Sequence, residues 1–215
     1  RNLPTREDLV AFWAERVAVP PAEAAAAIGE EPAPSDLVRA RLMKRGGVGY
    51  VQPGPATFPP LDDVVAALVS SGALPIYPWL DGSTAAEEGC ADLLGLLVAK
   101  GIVGITIIPE RNWHIADPAQ RATRVAALDA VIATARRLDL PVIVGTEMNR
   151  SDQPLLDDWE AAPLQPYRDE FLRGAAWLYG HTLMARALGL GYQSDWARTH
   201  LPSRRERNAF YARLG

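Results

Sequence analysis

Acidic, amide and cationic residues recur just after the chain's apolar runs and hardly appear before them. Asp81 follows Leu74 to Trp79; Glu110, Arg111, Asn112 and His114 follow Val103 to Ile108; Glu147 and Asn149 follow Val142 to Val144. Ahead of the same runs stand Gly72-Ala73, Gly101-Ile102 and Leu140-Pro141, which are turn residues. This asymmetry predicts a pocket at the carboxyl ends of parallel strands, where α/β proteins place their ligands. Carboxylates converging with an imidazole suit a divalent cation such as zinc, manganese or magnesium, so Glu147, Glu110, Asp81 and His114 are candidate metal ligands. A metal there would polarise a phosphoryl or carbonyl oxygen and acidify a bound water. Glu147 and Asp81 are equally candidates for acid-base work. Arg111 is the candidate clamp for a phosphate or carboxylate, and Asn112 and Asn149 are placed to orient a hydroxyl.

Each residue also has a plainer reading. Arg111 can fix its loop through an ion pair with Glu110 or Asp81, and Glu147 can be a solvated residue capping the next helix. No His-x-His or His-Glu-x-x-His pair is present to strengthen a metal site. His181 shares a helical stripe with Phe171, Gly174, Ala175 and Leu178, which marks a core histidine, and His200 precedes Leu201-Pro202 in an exposed position. Trp79, Trp113 and Tyr77 have the sizes to wall a sugar-sized pocket, although aromatic residues near strand ends commonly belong to the core.

Elements must bring these residues together. Val142, Ile143 and Val144 show no alternation, as expected of a strand covered on both faces, and Gly145 after them lets another backbone or a ligand come close. Similar runs at 48–51, 74–79 and 103–108 alternate with amphipathic stretches, so a strand-loop-helix rhythm repeats four times. That rhythm predicts parallel pairing through helical crossovers. The expected fold is α/β, a TIM-like (β/α) barrel present as a partial barrel of about four strand-helix units, where a closed one needs about eight; the alternatives are an open sheet whose edges the leading helices cover, or two chains that complete each other. Extra helices stand at both ends: a lead-in over 1–46, the repeat over 47–192 and a helical tail over 193–215. Helix starts are marked by Thr5 with Asp8, Ser35, Thr84 with Glu87, Asp117 before Pro118, and Ser203 with Glu206.

The 215 residues are 48% hydrophobic and 22% charged, ordinary values for a globular protein with a sizeable core. A net charge of −4 provides no footprint for nucleic acid. No apolar run approaches a membrane span, so no membrane partner is expected. The single cysteine, Cys90, fits a reducing, cytoplasmic location. The chain opens with Arg1 and enters a helix almost at once, which suggests part of a longer protein. The expected partners are a small-molecule substrate and either a missing N-terminal barrel half or a second copy of the chain.

The segments WLDGSTAAE (Trp79 to Glu87), IIPERNW (Ile107 to Trp113) and GTEMNRSDQP (Gly145 to Pro154) resemble the C-terminal half of uncharacterised bacterial proteins related to the polymerase-and-histidinol-phosphatase (PHP) group of metal-dependent phosphoesterases. YGHT (Tyr179 to Thr182) and RNAFYARLG (Arg207 to Gly215) belong to the same pattern. The resemblance implies a distorted (β/α) barrel and metal-assisted hydrolysis of a phosphoester. Members of the wider group bind metals largely through histidine pairs near the N-terminus, and this sequence has none. With such a half absent, Glu147, Glu110 and Asp81 would be the remaining half's contribution, and the chain alone would be inactive. The first functional reading is therefore part of a metal-dependent hydrolase. The second is a sugar isomerase or epimerase of the barrel type, and the third a non-catalytic binding or scaffold domain whose strand-end charges pair with one another.

Overall fold

The computed structural model describes residues 3–28, 39–47, 49–147 and 155–215. Ser35, Val48 and Asn149 lie outside these. The chain divides into two compact units, Arg1–Pro59 and Pro60–Gly215.

In the first unit, α1 (Arg6–Val17) starts at the expected capping box. The Thr5 hydroxyl accepts the Asp8 N–H while the Asp8 carboxylate accepts the Thr5 N–H. Ala18, in the left-handed conformation, ends it. Helix α2 (Pro21–Ile28) packs on α1 around Ala14, Val17, Val19 and Ala24, with Trp13 and Leu42 at the margin. A π-helical turn spans Arg39–Met43.

The second unit holds α3 (Leu61–Ser70), β1 (Ile76–Pro78), the short α4 (Ala85–Glu88) and α5 (Cys90–Ala99). These are followed by β2 (Gly104–Ile107), the single turn α6 (Glu110–Trp113), α7 (Pro118–Arg137) and β3 (Val142–Val144). The last helices are α8 (Arg168–Leu188), α9 (Asp195–His200) and α10 (Arg204–Leu214). The strands pair in parallel in the order β1-β2-β3, with Tyr77 beside Ile105 and Ile105 beside Val142. Side chains alternate across a sheet, so this row and the next one, Ile107 with Val144, share a face. That face packs on Leu94 and Leu97 of α5 and on Leu128, Val131 and Ile132 of α7. Ile76 and Ile143 belong to the opposite face, where Trp177, Tyr192, Ala197 and Tyr211 form a second cluster.

The partial barrel is not what the chain forms. Helix makes up 58% of the structure, and the described residues contain one three-stranded parallel sheet that does not close. Two physical reasons stand out. Gly49 to Val51 of the first expected strand have no strand neighbour, so their β-propensity has no ladder to join. At the other side the edge of β3 is covered. Pro141 O accepts the Ile105 N–H across the sheet, so the next carbonyl, that of Val142, points to the outer edge. There α8 passes so close that a Cβ on Gly174 would sit 1.8 Å from Val142 O. A helix thus occupies the place where a following barrel strand would pair.

Candidate functional site

The loops leaving the carboxyl ends of the three strands converge. After β1 the chain turns through Leu80-Asp81-Gly82, and Glu87 of α4 holds this turn. Its carboxylate, 4% exposed, accepts the Leu80 N–H at 2.7 Å and the Gly82 N–H at 3.2 Å. Thr84 caps α4 by accepting the Glu87 N–H, but the Glu87 side chain faces the turn and does not return to Thr84. Gly82 has φ +76°, and a Cβ there would lie 2.6 Å from the Ala127 Cβ, so only glycine lets the turn approach α7.

The loop after β2 is anchored from below. Asp157, 5% exposed, accepts N–H bonds from the Glu110 backbone at 2.8 Å and the Trp113 indole at 2.7 Å. Asn112 is fully buried and donates through Nδ2 to Asp81 O at 3.2 Å and Arg124 O at 2.9 Å. It ties the β1 turn to α7, and its Oδ1 is buried without a hydrogen-bond partner. Asn112 is therefore a positioning residue. Neither Asp157 nor Glu87 was singled out as a site residue from the sequence. An acid that satisfies backbone N–H groups 47 or 5 residues away leaves no local pattern to read.

With these supports in place, Arg111 reaches both acids. Its Nη1 lies 2.7 Å from Glu147 Oε2 and its Nη2 3.4 Å from Asp81 Oδ2, while Arg124 Nη1 stands 3.7 Å from Asp81 Oδ1. The side chains of Asp81, Arg124, Glu147 and Arg111 are 14%, 22%, 25% and 33% exposed, so the cluster is half-sheltered yet open to a ligand. Burial pushes the Asp81 carboxyl up, but hydrogen bonds from the Ser83 side chain and backbone, with the Arg124 and Arg111 charges, outweigh it and hold the group below the ordinary range. Burial likewise works against the Arg111 guanidinium, and the Glu147 hydrogen bond and charge, then those of Asp81, override it and raise its pKa. Beside the cluster a cavity of about 480 Å³ opens between α4 and α7, lined by Gly82, Ser83, Gln120, Thr123 and Arg124.

The structure thus brings Asp81, Arg111 and Glu147 to one place, with Asn112 beneath them. Glu110 sits at the start of α6, and His114 follows α6 on the surface with its ring 5.2 Å from that of Trp113. Asn149 lies outside the described residues. The fit of a divalent cation can be judged from the donors. Among the described residues no group of three or more His, Cys, Asp or Glu is arranged to hold one. The guanidinium of Arg111 stands between the two carboxylates that would have to share it. The described donors do not fit a metal, and no chemical step is derived through one.

Fold and site together define a mostly helical domain around a small three-stranded parallel sheet, not the expected α/β barrel architecture, with a charged cluster at the carboxyl ends of the strands. No family model, no curated protein and no solved structure matches the chain. No helix among the described residues is long and apolar enough to cross a membrane.

Proposed function

We propose that the cluster is the site of a hydrolase acting on a small phosphoester, in a reducing, cytoplasmic location. The observation that carries this reading is the single guanidinium of Arg111 held between Glu147 and Asp81, acids from two other strand-end loops. A guanidinium offers five donors in a planar fork that matches a phosphoryl group, and Arg124 stands on the other side of Asp81. A phosphate dianion entering from the neighbouring cavity competes with Glu147 for Arg111. Once displaced from Arg111, Glu147 takes a proton from water as that water attacks phosphorus. The bond from phosphorus to the ester oxygen breaks with its electron pair on the leaving alkoxide, which takes a proton from solvent while Glu147 returns the one it gained to solvent. Arg111 and Arg124 balance the charge on the non-bridging oxygens during the transfer. The resemblance to PHP-type phosphoesterases supports the same substrate class.

The test is hydrolysis of p-nitrophenyl phosphate by the wild-type chain, Glu147→Gln and Arg111→Gln, with and without added manganese. A cation completed by residues outside the described set would register as a manganese-dependent rate. A wild-type rate that falls at least about a hundredfold in Glu147→Gln supports the proposal. No wild-type hydrolysis in either condition overturns it. A second reading, a non-catalytic binding or scaffold domain, is favoured by the same ion pairs: Arg111 already has acid partners on both sides, the arrangement expected where charges only brace loops.

A further inference from the structure

Helix α8 has two faces. Phe171, Gly174, Trp177 and Gly180 are buried, with Gly174 against the edge of β3 and Gly180 against the Tyr211 carbonyl of α10. The opposite side carries Leu172, Ala176, Tyr179 and Leu183, spaced by four, three and four residues, which keeps them in one stripe along the helix. Leu172 is 61% exposed, Tyr179 58% and Leu183 40%, with Ala176 partly buried between them. Single apolar residues on a surface need no explanation, but three large ones in line on one helix form a patch that does. The line runs on by three residues at each end, to Asp169 before Leu172 and to Arg186 after Leu183. Both are exposed, and neither makes an ion pair among the described residues.

We infer that this stripe is the contact between two copies of the chain, related by a two-fold axis with their α8 helices antiparallel. The stripe is complementary to its own reverse. Turned about the midpoint between Ala176 and Tyr179, it sets Leu172 against Leu183 of the second copy, Ala176 against Tyr179 and Asp169 against Arg186, each pair occurring twice. Leucine meets leucine, the small Ala176 leaves room for the Tyr179 ring, and opposite charges close both ends. A parallel pairing would instead put Asp169 against Asp169 and Arg186 against Arg186. An unrelated partner requires no such symmetry in the sequence, and this is what favours a second copy. The stripe is about 25 Å long at 1.5 Å per residue and one helix wide. It therefore buries less than the roughly 800 Å² per partner of a standard stable interface, and the dimer is weak, with a dissociation constant on the order of ten micromolar. The inference is independent of the phosphoesterase reading, since no residue of the stripe belongs to the Asp81-Arg111-Glu147 cluster.

Sedimentation of the full chain from about 1 to 300 µM tests it, because a dimer of this affinity passes from mostly monomer to mostly dimer over that range. Leu183→Glu, at an exposed position, should weaken the dimer at least about tenfold, since the charge enters the interface twice. Asp169→Arg alone should weaken it several-fold by facing Arg186 of the second copy, and Arg186→Asp alone likewise. The double reversal Asp169→Arg/Arg186→Asp should recover affinity to within about twofold of wild type, a rescue that the antiparallel pairing alone provides. Arg111→Gln should leave the dimer unchanged. A wild-type chain that stays monomeric throughout, a dimer indifferent to Leu183→Glu, or charge reversals that do not rescue each other would overturn the inference.

Discussion

Arg111 Nη1 lies 2.7 Å from Glu147 Oε2, so the loop after β2 is fastened to the loop after β3 by one charge-assisted hydrogen bond. Both side chains keep a quarter to a third of their surface, and solvent therefore screens much of the Coulombic gain. A double-mutant cycle with Arg111→Gln and Glu147→Gln, read by urea unfolding, should return a coupling of about 0.5–1 kcal/mol. A coupling indistinguishable from zero would show that the pair sets loop geometry without adding stability.

Asp81 supplies a pH dependence whose sign follows from its depressed pKa. The unfolded carboxyl titrates near 3.8 and the folded one lower, so the stability it contributes is complete above the unfolded value and is lost as pH falls through the folded one. Wild-type protein and Asp81→Asn should therefore differ in urea midpoint at pH 6, and the difference should shrink as the pH is taken below 3.8. A gap that widened on acidification would contradict the assignment of Arg124, Arg111 and Ser83 as the groups stabilising the anion.

Asn112 ties the turn after β1 to α7. Asn112→Ala removes the donors to Asp81 O and Arg124 O in a fully buried place and leaves both carbonyls to find other partners. The expected cost is about 1–3 kcal/mol by chemical denaturation, the range for stranding buried polar groups. A loss under about 0.5 kcal/mol would mean that water enters and takes over both bonds.

Two of the helices that flank the sheet should respond oppositely to the same substitution. Gly174→Ala would place a Cβ 1.8 Å from Val142 O, so α8 must move off the edge of β3, and a loss of about 3 kcal/mol or more is expected. Gly95 in α5 has nothing within 4 Å of its would-be Cβ, and Gly95→Ala should stabilise by about 0.5–1 kcal/mol. Thermal unfolding of the two variants reads both signs in one experiment.

What could be read in the sequence was local or periodic. Val142 to Val144 lack alternation because both faces of β3 are covered, and Asp117 ahead of Pro118 starts α7 by accepting the Gln120 N–H. The concentration of polar residues after strands also proved spatial for Asp81, Arg111 and Glu147. What depended on distant partners was not legible. The run from Val48 looks like a strand by composition, yet pairing needs a neighbour that the one-dimensional pattern cannot supply. Whether the sheet continues past β3 is decided by Gly174, a glycine whose close approach to Val142 O is visible only in three dimensions. Asp157 is similar: its carboxylate anchors α6 from 47 residues further along the chain.

In the proposed reaction Arg111 exchanges its bond to Glu147 for a phosphoryl group. Side-chain arginine resonances in two-dimensional nitrogen NMR, followed while inorganic phosphate is titrated into the chain, test it most directly. The Arg111 Nε–H and Nη–H signals should shift in a saturable way, together with those of Arg124, and Glu147→Gln should tighten phosphate binding by removing the competing carboxylate. Arg111 signals that stay fixed up to millimolar phosphate, with Glu147→Gln binding no better than wild type, would contradict it.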